Sequence, residues 1–281
     1  MKEQPFIVLS RLRSLPLMAA LVMAALALGL LADLAVGAES GADTITVYDA
    51  KAVERRPFDR GVFTQGFVIH SDKLWVSSGL YGKSFVERWN WPAWKLGGDG
   101  GTHKTRLELP ETVFAEGVAV HKNTVFLLSW KSQKMFAIDP KRLEITHTYA
   151  LPGEGWGVTS DGQSLWISDG TSRLHEWRDG KFQKQLTVTL NGKPLPRLNE
   201  LEWINGEIWA NVWLTDQIVV ISPATGRITR IIDLTNLLPK KERRRDTDVL
   251  NGIAHDPKTG DIWVTGKRWP TMFRIELVEL Q

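Results

Sequence analysis

Five stretches of this chain repeat one pattern. A polar, acidic or amide-bearing segment runs through Gly or Leu into a strand carrying Trp or Phe. The stretches are Thr64-Gln65-Gly66-Phe67 with Leu74-Trp75-Val76, Ala115-Glu116-Gly117 with Val125-Phe126-Leu127, Gly153-Glu154-Gly155-Trp156-Gly157 with Leu165-Trp166-Ile167, Asn199-Glu200-Leu201-Glu202 with Ile208-Trp209-Ala210, and Leu250-Asn251-Gly252-Ile253 with Ile262-Trp263-Val264. Aligning Gly66, Gly117, Gly157, Leu201 and Gly252 gives spacings of 51, 40, 44 and 51 residues. A strand-rich repeat of this period marks a radial β architecture, in which similar units stand around one axis.

A unit of four antiparallel strands takes roughly 40–50 residues, so residues 44–281 hold about five of them. The predicted fold is therefore all-β, a five-bladed β-propeller. A six-bladed reading needs uncomfortably short units. Closure requires the chain ends to meet, or the first and last units expose edges. Thr44-Ile45-Thr46-Val47-Tyr48 and Met272-Phe273-Arg274-Ile275-Glu276-Leu277 are the expected partners in one blade. Asn205-Gly206 between two apolar runs is the strongest hairpin signal. A short helical turn is expected near Leu234 to Leu238. Trp75, Trp166, Trp209, Trp263 and Phe126 read as packing between units. Gly at the repeat position suits strands crowded at an axis.

The first residues read as a targeting segment. Lys2, Arg11 and Arg13 precede an apolar stretch from Leu15 to Ala32, and Val36-Gly37-Ala38 supplies the small residues that a signal peptidase reads. The expected organisation is a signal peptide over residues 1–38 and a single propeller domain over 39–281, periplasmic or secreted. The competing reading is an uncleaved anchor, since the apolar run is long enough to span a bilayer. The 281-residue chain has no Cys, which excludes a thiol nucleophile, a Cys–Zn site and a redox motif. Removing residues 1–38 leaves a net charge of +2, too balanced to imply nucleic acid. The basic run Lys240-Lys241-Glu242-Arg243-Arg244-Arg245 reads as a solvated loop. No heptad or large apolar face argues for assembly, so a monomer without stable membrane association after cleavage is expected.

The polar residues at the unit entrances resist explanation as packing, because Asp and Glu are rarely buried without a partner. Gln65, Glu116, Glu154, Asn199, Glu200 and Asn251, flanked by Trp130, Trp156, Trp213 and Lys267, read together as a binding pocket. The bland alternative is a water-filled channel with structural hydrogen bonds.

The motifs carry a resemblance that runs in order through nearly all of the chain after residue 38. They are Phe63-Thr64-Gln65-Gly66, Ser78-Gly79-Leu80-Tyr81-Gly82-Lys83-Ser84, Glu116-Gly117, Ser129-Trp130, Gly153-Glu154-Gly155-Trp156-Gly157, Ser168-Asp169-Gly170, Asn199-Glu200-Leu201-Glu202, Ala210-Asn211-Val212-Trp213, Leu250-Asn251-Gly252-Ile253-Ala254 and Thr265-Gly266-Lys267-Arg268-Trp269-Pro270. The chain resembles the plant and bacterial glutaminyl-peptide cyclotransferases. Phe114-Ala115 replaces a frequent Phe-Gly, and Ser129-Trp130 a usual Thr-Trp. The resemblance implies conversion of an N-terminal glutaminyl residue to pyroglutamate with loss of ammonia. It implies peptide or protein substrates beginning with Gln, and no metal or cofactor. It assigns Glu116 as the acid/base and Phe63, Gln65, Trp130, Trp156, Asn199, Trp213 and Lys267 as pocket residues.

The chemistry suits such residues. An α-amine titrates at about 7.7–8.0, so it is partly neutral at pH 7 and can attack its own side-chain amide. The pocket must hold the folded-back side chain, and one carboxylate can take the amine proton and return it to the leaving nitrogen. Lys267, Gln65 or an indole N–H could stabilise the oxyanion, and Asn199 could hold the substrate amine or carbonyl. Two other functions fit the pattern less well. One is a calcium-dependent lactonase with Glu154, Asn199 and Asn251 as ligands. The other is a non-catalytic binding propeller.

Overall fold

Short runs of Val, Ile, Leu and aromatics, divided by turns that place Asp, Asn or Lys at positive φ, make this chain a succession of antiparallel strands. The computed structural model describes residues 45–92 and 105–280. The chain divides into two units, Met1–Ser40 and Gly41–Gln281. The first lies outside the described residues, and with it the expected signal segment. Among the described residues no helix is long and apolar enough to cross a membrane.

Strand β1 (Thr46–Pro57) is followed by a four-stranded sheet in chain order: β2 (Thr64–His70), β3 (Lys73–Ser78), β4 (Phe85–Asn90) and β5 (Thr105–Glu108). A second comprises β6 (Ala115–His121), β7 (Thr124–Ser129), β8 (Lys134–Asp139) and β9 (Glu144–Ala150). A third comprises β10 (Val158–Ser160), β11 (Leu165–Ser168), β12 (Arg173–Arg178) and β13 (Lys181–Thr187). A small ribbon, β14 (Thr189–Leu190) and β15 (Lys193–Pro194), precedes an eight-stranded sheet. That sheet joins β16 (Leu198–Ile204), β17 (Glu207–Val212), β18 (Gln217–Ile221) and β19 (Ile228–Asp233) to β20 (Leu250–His255), β21 (Ile262–Gly266) and β22 (Thr271–Glu279), with β1 between β19 and β22. The architecture is all-β and propeller-like.

The two chain ends share a sheet as expected, but not through the expected segments: residues 46–49 pair with β19, and Met272–Leu277 pair with residues 50–56. β1 pairs antiparallel with β22 from Tyr48↔Glu279 to Pro57↔Thr271, and parallel with β19 at Thr46↔Arg230. Most of that pairing lies in residues 50–57, whose charged, outward-facing pattern gave no strand signal. Asn205-Gly206 turns the β16–β17 hairpin with φ of 50° and 86°. Residues 234–238 form a turn without a helix. The 3₁₀ turn is Lys240–Glu242, one step further on.

Each core cluster lies between two neighbouring sheet units, with a second-strand aromatic inside it. Trp75 packs with Val118 and Leu127, Phe126 with Val158 and Leu165, Trp166 with Leu201 and Ile208, Trp209 with Ile253 and Val264, and Trp263 with Phe67 and Leu74. Burial of each such side chain contributes about 1.5–3 kcal/mol. The sheets are thus held face to face by apolar packing, the reading made of these aromatics from sequence.

The first strands approach one another in sequence, β2 to β6, β6 to β10, β10 to β16, β16 to β20, and β20 back to β2. The repeat glycines stand at these approaches. A Cβ on Gly66 would lie 2.3 Å from the Val118 nitrogen, and one on Gly157 only 2.0 Å from the Asn199 carbonyl oxygen. Polar side chains bridge the same gaps. Ser77 Oγ donates to Glu116 O at 2.5 Å, Ser168 Oγ to Asn199 O at 2.7 Å, and Asn211 Oδ1 accepts from Gly252 N at 2.9 Å. Glu200 spans two first strands, accepting from Phe67 N at 3.2 Å and Ile253 N at 2.9 Å. Glu202 accepts from His255 N at 2.9 Å.

Burial raises the carboxyls of both residues, that of Glu202 to about 8 against the backbone donors His255 and Trp203.

Two outcomes follow from this crowding. Gly157→Ala should destabilise the fold by about 3 kcal/mol or more, while Gly153→Ala, which meets nothing within 4 Å, should stay within about 0.5 kcal/mol. Denaturant melts compare them. For Glu202 the folded carboxyl titrates above the unfolded one, so its contribution is complete below about pH 4.5 and is lost as pH rises through about 8. The melting temperature of Glu202→Gln relative to wild type should therefore climb between pH 5 and 9. A flat difference would show that this carboxyl is not the titrating group.

Candidate active site

A hairpin places the start of its first strand beside the end of its second, and the site is built at that shared end. Trp130 N donates to Phe114 O at 3.1 Å, Trp213 N to Arg197 O at 2.9 Å, and Lys267 N to Val249 O at 2.9 Å. These three residues are therefore equivalent positions in three hairpins, one step past β7, β17 and β21. The facing strands are irregular at the same level. Register shifts fall between Thr64 and Gly66, Ala115 and Val118, Leu198 and Leu201, and Leu250 and Ile253. Gln65, Glu116, Asn199 and Asn251 sit in those shifts, where a bulge re-aims side chains that regular alternation would send elsewhere.

The result is one cavity of about 350 Å³ lined by all eight residues singled out from sequence: Phe63, Gln65, Glu116, Trp130, Trp156, Asn199, Trp213 and Lys267. Phe114, Leu214 and Asp248 complete the lining. Phe114 was expected only as a neighbour of Glu116. Leu214 and Asp248 gave no signal because each reaches the wall from a loop, Leu214 at a φ of 66°. The other entrance residues stand outside this lining. Glu200 holds strands together, Asn251 Nδ2 donates to Thr64 O at 2.9 Å and to Gln65 Oε1 at 3.3 Å, and Glu154 lies behind the aromatic wall.

Aromatic edges form the wall. Phe114 meets Phe63, Tyr81 and Trp130 edge-on at 6.4, 5.4 and 5.5 Å between centroids, and Trp156 meets Trp213 at 5.4 Å and 86°. Glu154 Oε2 accepts from both Trp130 Nε1 at 2.7 Å and Trp156 Nε1 at 3.0 Å, so one carboxylate oxygen orients two indoles. Glycines leave room for these rings: a Cβ on Gly79 would lie 2.2 Å from the Phe114 ring, and one on Gly170 2.5 Å from that of Trp156.

Within this wall are opposite charges in an unfavourable medium. Glu116 is 5% exposed and Lys267 5%. Burial pushes the Glu116 carboxyl well above the usual carboxylate range; Lys267 pulls it down and Glu154 pushes it further up. Burial likewise lowers the Lys267 ammonium, with Glu116 and Asp248 opposing. Lys267 Nζ also stands 5.0 Å from the centre of the Phe63 ring. Asn199, 2% exposed, has an Oδ1 with no hydrogen-bond partner. A buried acceptor left unpaired costs free energy and marks a place for a ligand N–H. Among the described residues no group of three or more His, Cys, Asp or Glu could hold a metal ion. Of the ligands weighed for calcium, only Asn199 lines this cavity.

A buried carboxyl in one lining with a lysine, an unpaired amide oxygen and an aromatic enclosure make an arrangement that can exchange a proton with a small polar group. Known proteins agree in kind. The sequence pattern of the glutamine cyclotransferase family matches residues 22–277, and the chain belongs to that family. It is 36% identical over 239 residues to the glutaminyl-peptide cyclotransferase of Arabidopsis thaliana, covering 82% of this chain and 72% of that protein. The crystal structure of Myxococcus xanthus glutaminyl cyclase superposes with a TM-score of 0.75 at 30% identity, covering 85% of this chain and 100% of that one.

Replacing Glu154 with Ala would leave two indole donors without their shared acceptor. The expected result is a loss of about 1–2 kcal/mol in stability, with a changed near-ultraviolet circular dichroism signal from the reoriented Trp130 and Trp156. An unaltered spectrum would show that the aromatic wall holds itself.

Proposed function

We propose that this protein is a glutaminyl-peptide cyclotransferase, converting the N-terminal Gln of a peptide or protein to pyroglutamate with release of ammonia, with Glu116 as its acid/base. Family membership supports the reaction. The observation that carries the residue roles is the Glu116 carboxyl, buried in the lining of an aromatic cavity that it shares with Lys267, with its ionisation pushed to higher pH.

The substrate's neutral α-amine attacks the Cδ of its own side chain. A C–N bond forms and the carbonyl π pair moves onto oxygen. The Glu116 carboxylate takes a proton from the attacking nitrogen and returns it to the amide nitrogen, whose bond to Cδ then breaks as ammonia leaves. The transfer is easiest when donor and acceptor are matched, and burial raises the Glu116 carboxyl, which makes its carboxylate a stronger base toward the attacking amine. The cavity keeps the side chain folded back, which removes conformational cost from the barrier. The vacant Asn199 Oδ1 accepts from the substrate amine or amide N–H. Asn251 engages the Gln65 oxygen, which turns the Gln65 N–H2 toward the developing oxyanion, and Lys267 adds positive potential there.

The finer architecture belongs to the same proposal. We read a five-bladed propeller, supported by the cycle of first-strand approaches from β2 to β20 and by β1 completing the unit of β20, β21 and β22. Residues 1–38 support export to the periplasm or beyond, with the folded domain acting there as a monomer.

Incubation with a Gln-initiated peptide should yield one ammonia and one pyroglutamyl product per turnover. Glu116→Gln should lower kcat by about 10²–10⁴-fold without lowering the melting temperature. Normal turnover in that variant would end the assignment. In wild type the rise of kcat with pH should sit above the carboxylate range, and Glu154→Gln, which removes the nearby negative charge, should move it to lower pH.

A further inference from the structure

Beside the reaction cavity lies a second hollow of about 350 Å³. The two share Leu214 and Asp248, and beyond them the hollow is lined by Asp216, Arg243 and Thr247. The reacting atoms of the proposed substrate are at the chain terminus, so the rest of the peptide must leave through the cavity mouth. The shared wall gives it a direction.

Arg243 belongs to the basic run that gave no function from sequence. Its setting is unusual in its charge balance. The acidic residue of the run and the one that follows it are engaged by cations from elsewhere in the fold: Arg55 pairs with Glu242 at 2.6 Å and Arg268 with Asp246 at 3.1 Å. The run's own cations, Lys240, Lys241, Arg243, Arg244 and Arg245, are exposed and form no ion pair among the described residues. The turn carrying them is held in place. Arg60 Nη2 donates to Glu242 O at 2.6 Å, and Arg244 N to Thr247 Oγ1 at 2.8 Å.

Two anions, Asp216 and Asp248, line the hollow against one lining cation, Arg243; the other four cations, Lys240, Lys241, Arg244 and Arg245, stand exposed on the same turn as Arg243. Burial holds the Asp216 carboxyl above its usual range, with Arg243 opposing. Asp248 acts on Lys267, and its Oδ1 accepts from Val249 N at 2.6 Å. The excess positive charge belongs to the turn, which carries five cations against Glu242 and brings one of them, Arg243, into the lining.

We propose that this hollow is a subsite for the residues following the N-terminal Gln, and that Arg243, Arg244 and Arg245 favour peptides with carboxylate side chains there. The inference rests on the cyclase reading and names its substrate class.

The test compares kcat/KM for peptides beginning Gln-Ala-Ala, Gln-Glu-Glu and Gln-Lys-Lys. It uses the whole protein and the variant R243E/R244E/R245E, with melting curves to confirm folding. In wild type the acidic peptide should exceed the basic one by about tenfold at low salt, falling toward parity at about 0.5 M NaCl. The variant should invert the ratio at low salt. A wild-type ratio near one, or a ratio that the variant leaves unmoved, overturns the subsite. Turnover of Gln-Ala-Ala separates the two levels: efficient turnover without charge preference defeats the subsite alone, whereas no turnover of any peptide defeats the cyclase reading and the subsite with it. Phosphatidylglycerol vesicles provide the remaining arm. If the variant loses vesicle binding and keeps the wild-type peptide ratio, the run is a membrane contact and the subsite is wrong.

Discussion

Everything in this fold depends on how closely its first strands approach. At Gly66, Gly117 and Gly157 a neighbouring backbone occupies the space a side chain would need. Such proximity brings polar backbone groups from separate hairpins together without a continuous sheet to pair them. Side chains such as Ser77, Ser168, Asn211 and Glu200 supply the missing partners. A buried unpaired backbone group costs as much as a lost hydrogen bond, so this stitching is a condition of the packing.

The same closeness makes the active site possible. Side chains from the ends of β2, β6, β7, β10, β16, β17 and β21 reach one 350 Å³ cavity because the strands that carry them converge. Bulges at Gln65, Glu116 and Asn199 break alternation where the chemistry needs a side chain re-aimed. Convergence also excludes water, which is what lifts the Glu116 carboxyl and depresses the Lys267 ammonium. Tight packing and the shifted ionisation of Glu116 and Lys267 are two results of one arrangement.

Much of this was legible in the chain because repetition is a local signal. The spacing of Gly66, Gly117, Gly157, Leu201 and Gly252 announces similar hairpins, and the second-strand aromatics announce the packing between them. Gln65, Glu116 and Asn199 stood out at the unit entrances of the repeat, but the full set of eight needed motif order, since Trp130, Trp213 and Lys267 lie just past strands and look like loop residues. What the sequence hid was long-range. Glu154 and Glu116 look alike at the unit entrances, yet Glu154 serves the indoles behind the wall and Glu116 faces the cavity. Glu200 looks like a site residue and is a cross-brace. β1 was mostly invisible because its residues 50–57 are charged and exposed, and only β22, more than two hundred residues away, makes them a strand.

That pairing sets an order of events. The strand synthesised first lies between β19 and β22, so it has no complete seat until the last strand exists. Loop closure over such a separation is slow compared with forming any single hairpin. The hairpins can form as the chain grows, but the ring cannot shut on an unfinished one. The aromatic cavity, with its buried charges, is therefore assembled only after β22, the last strand, has been made.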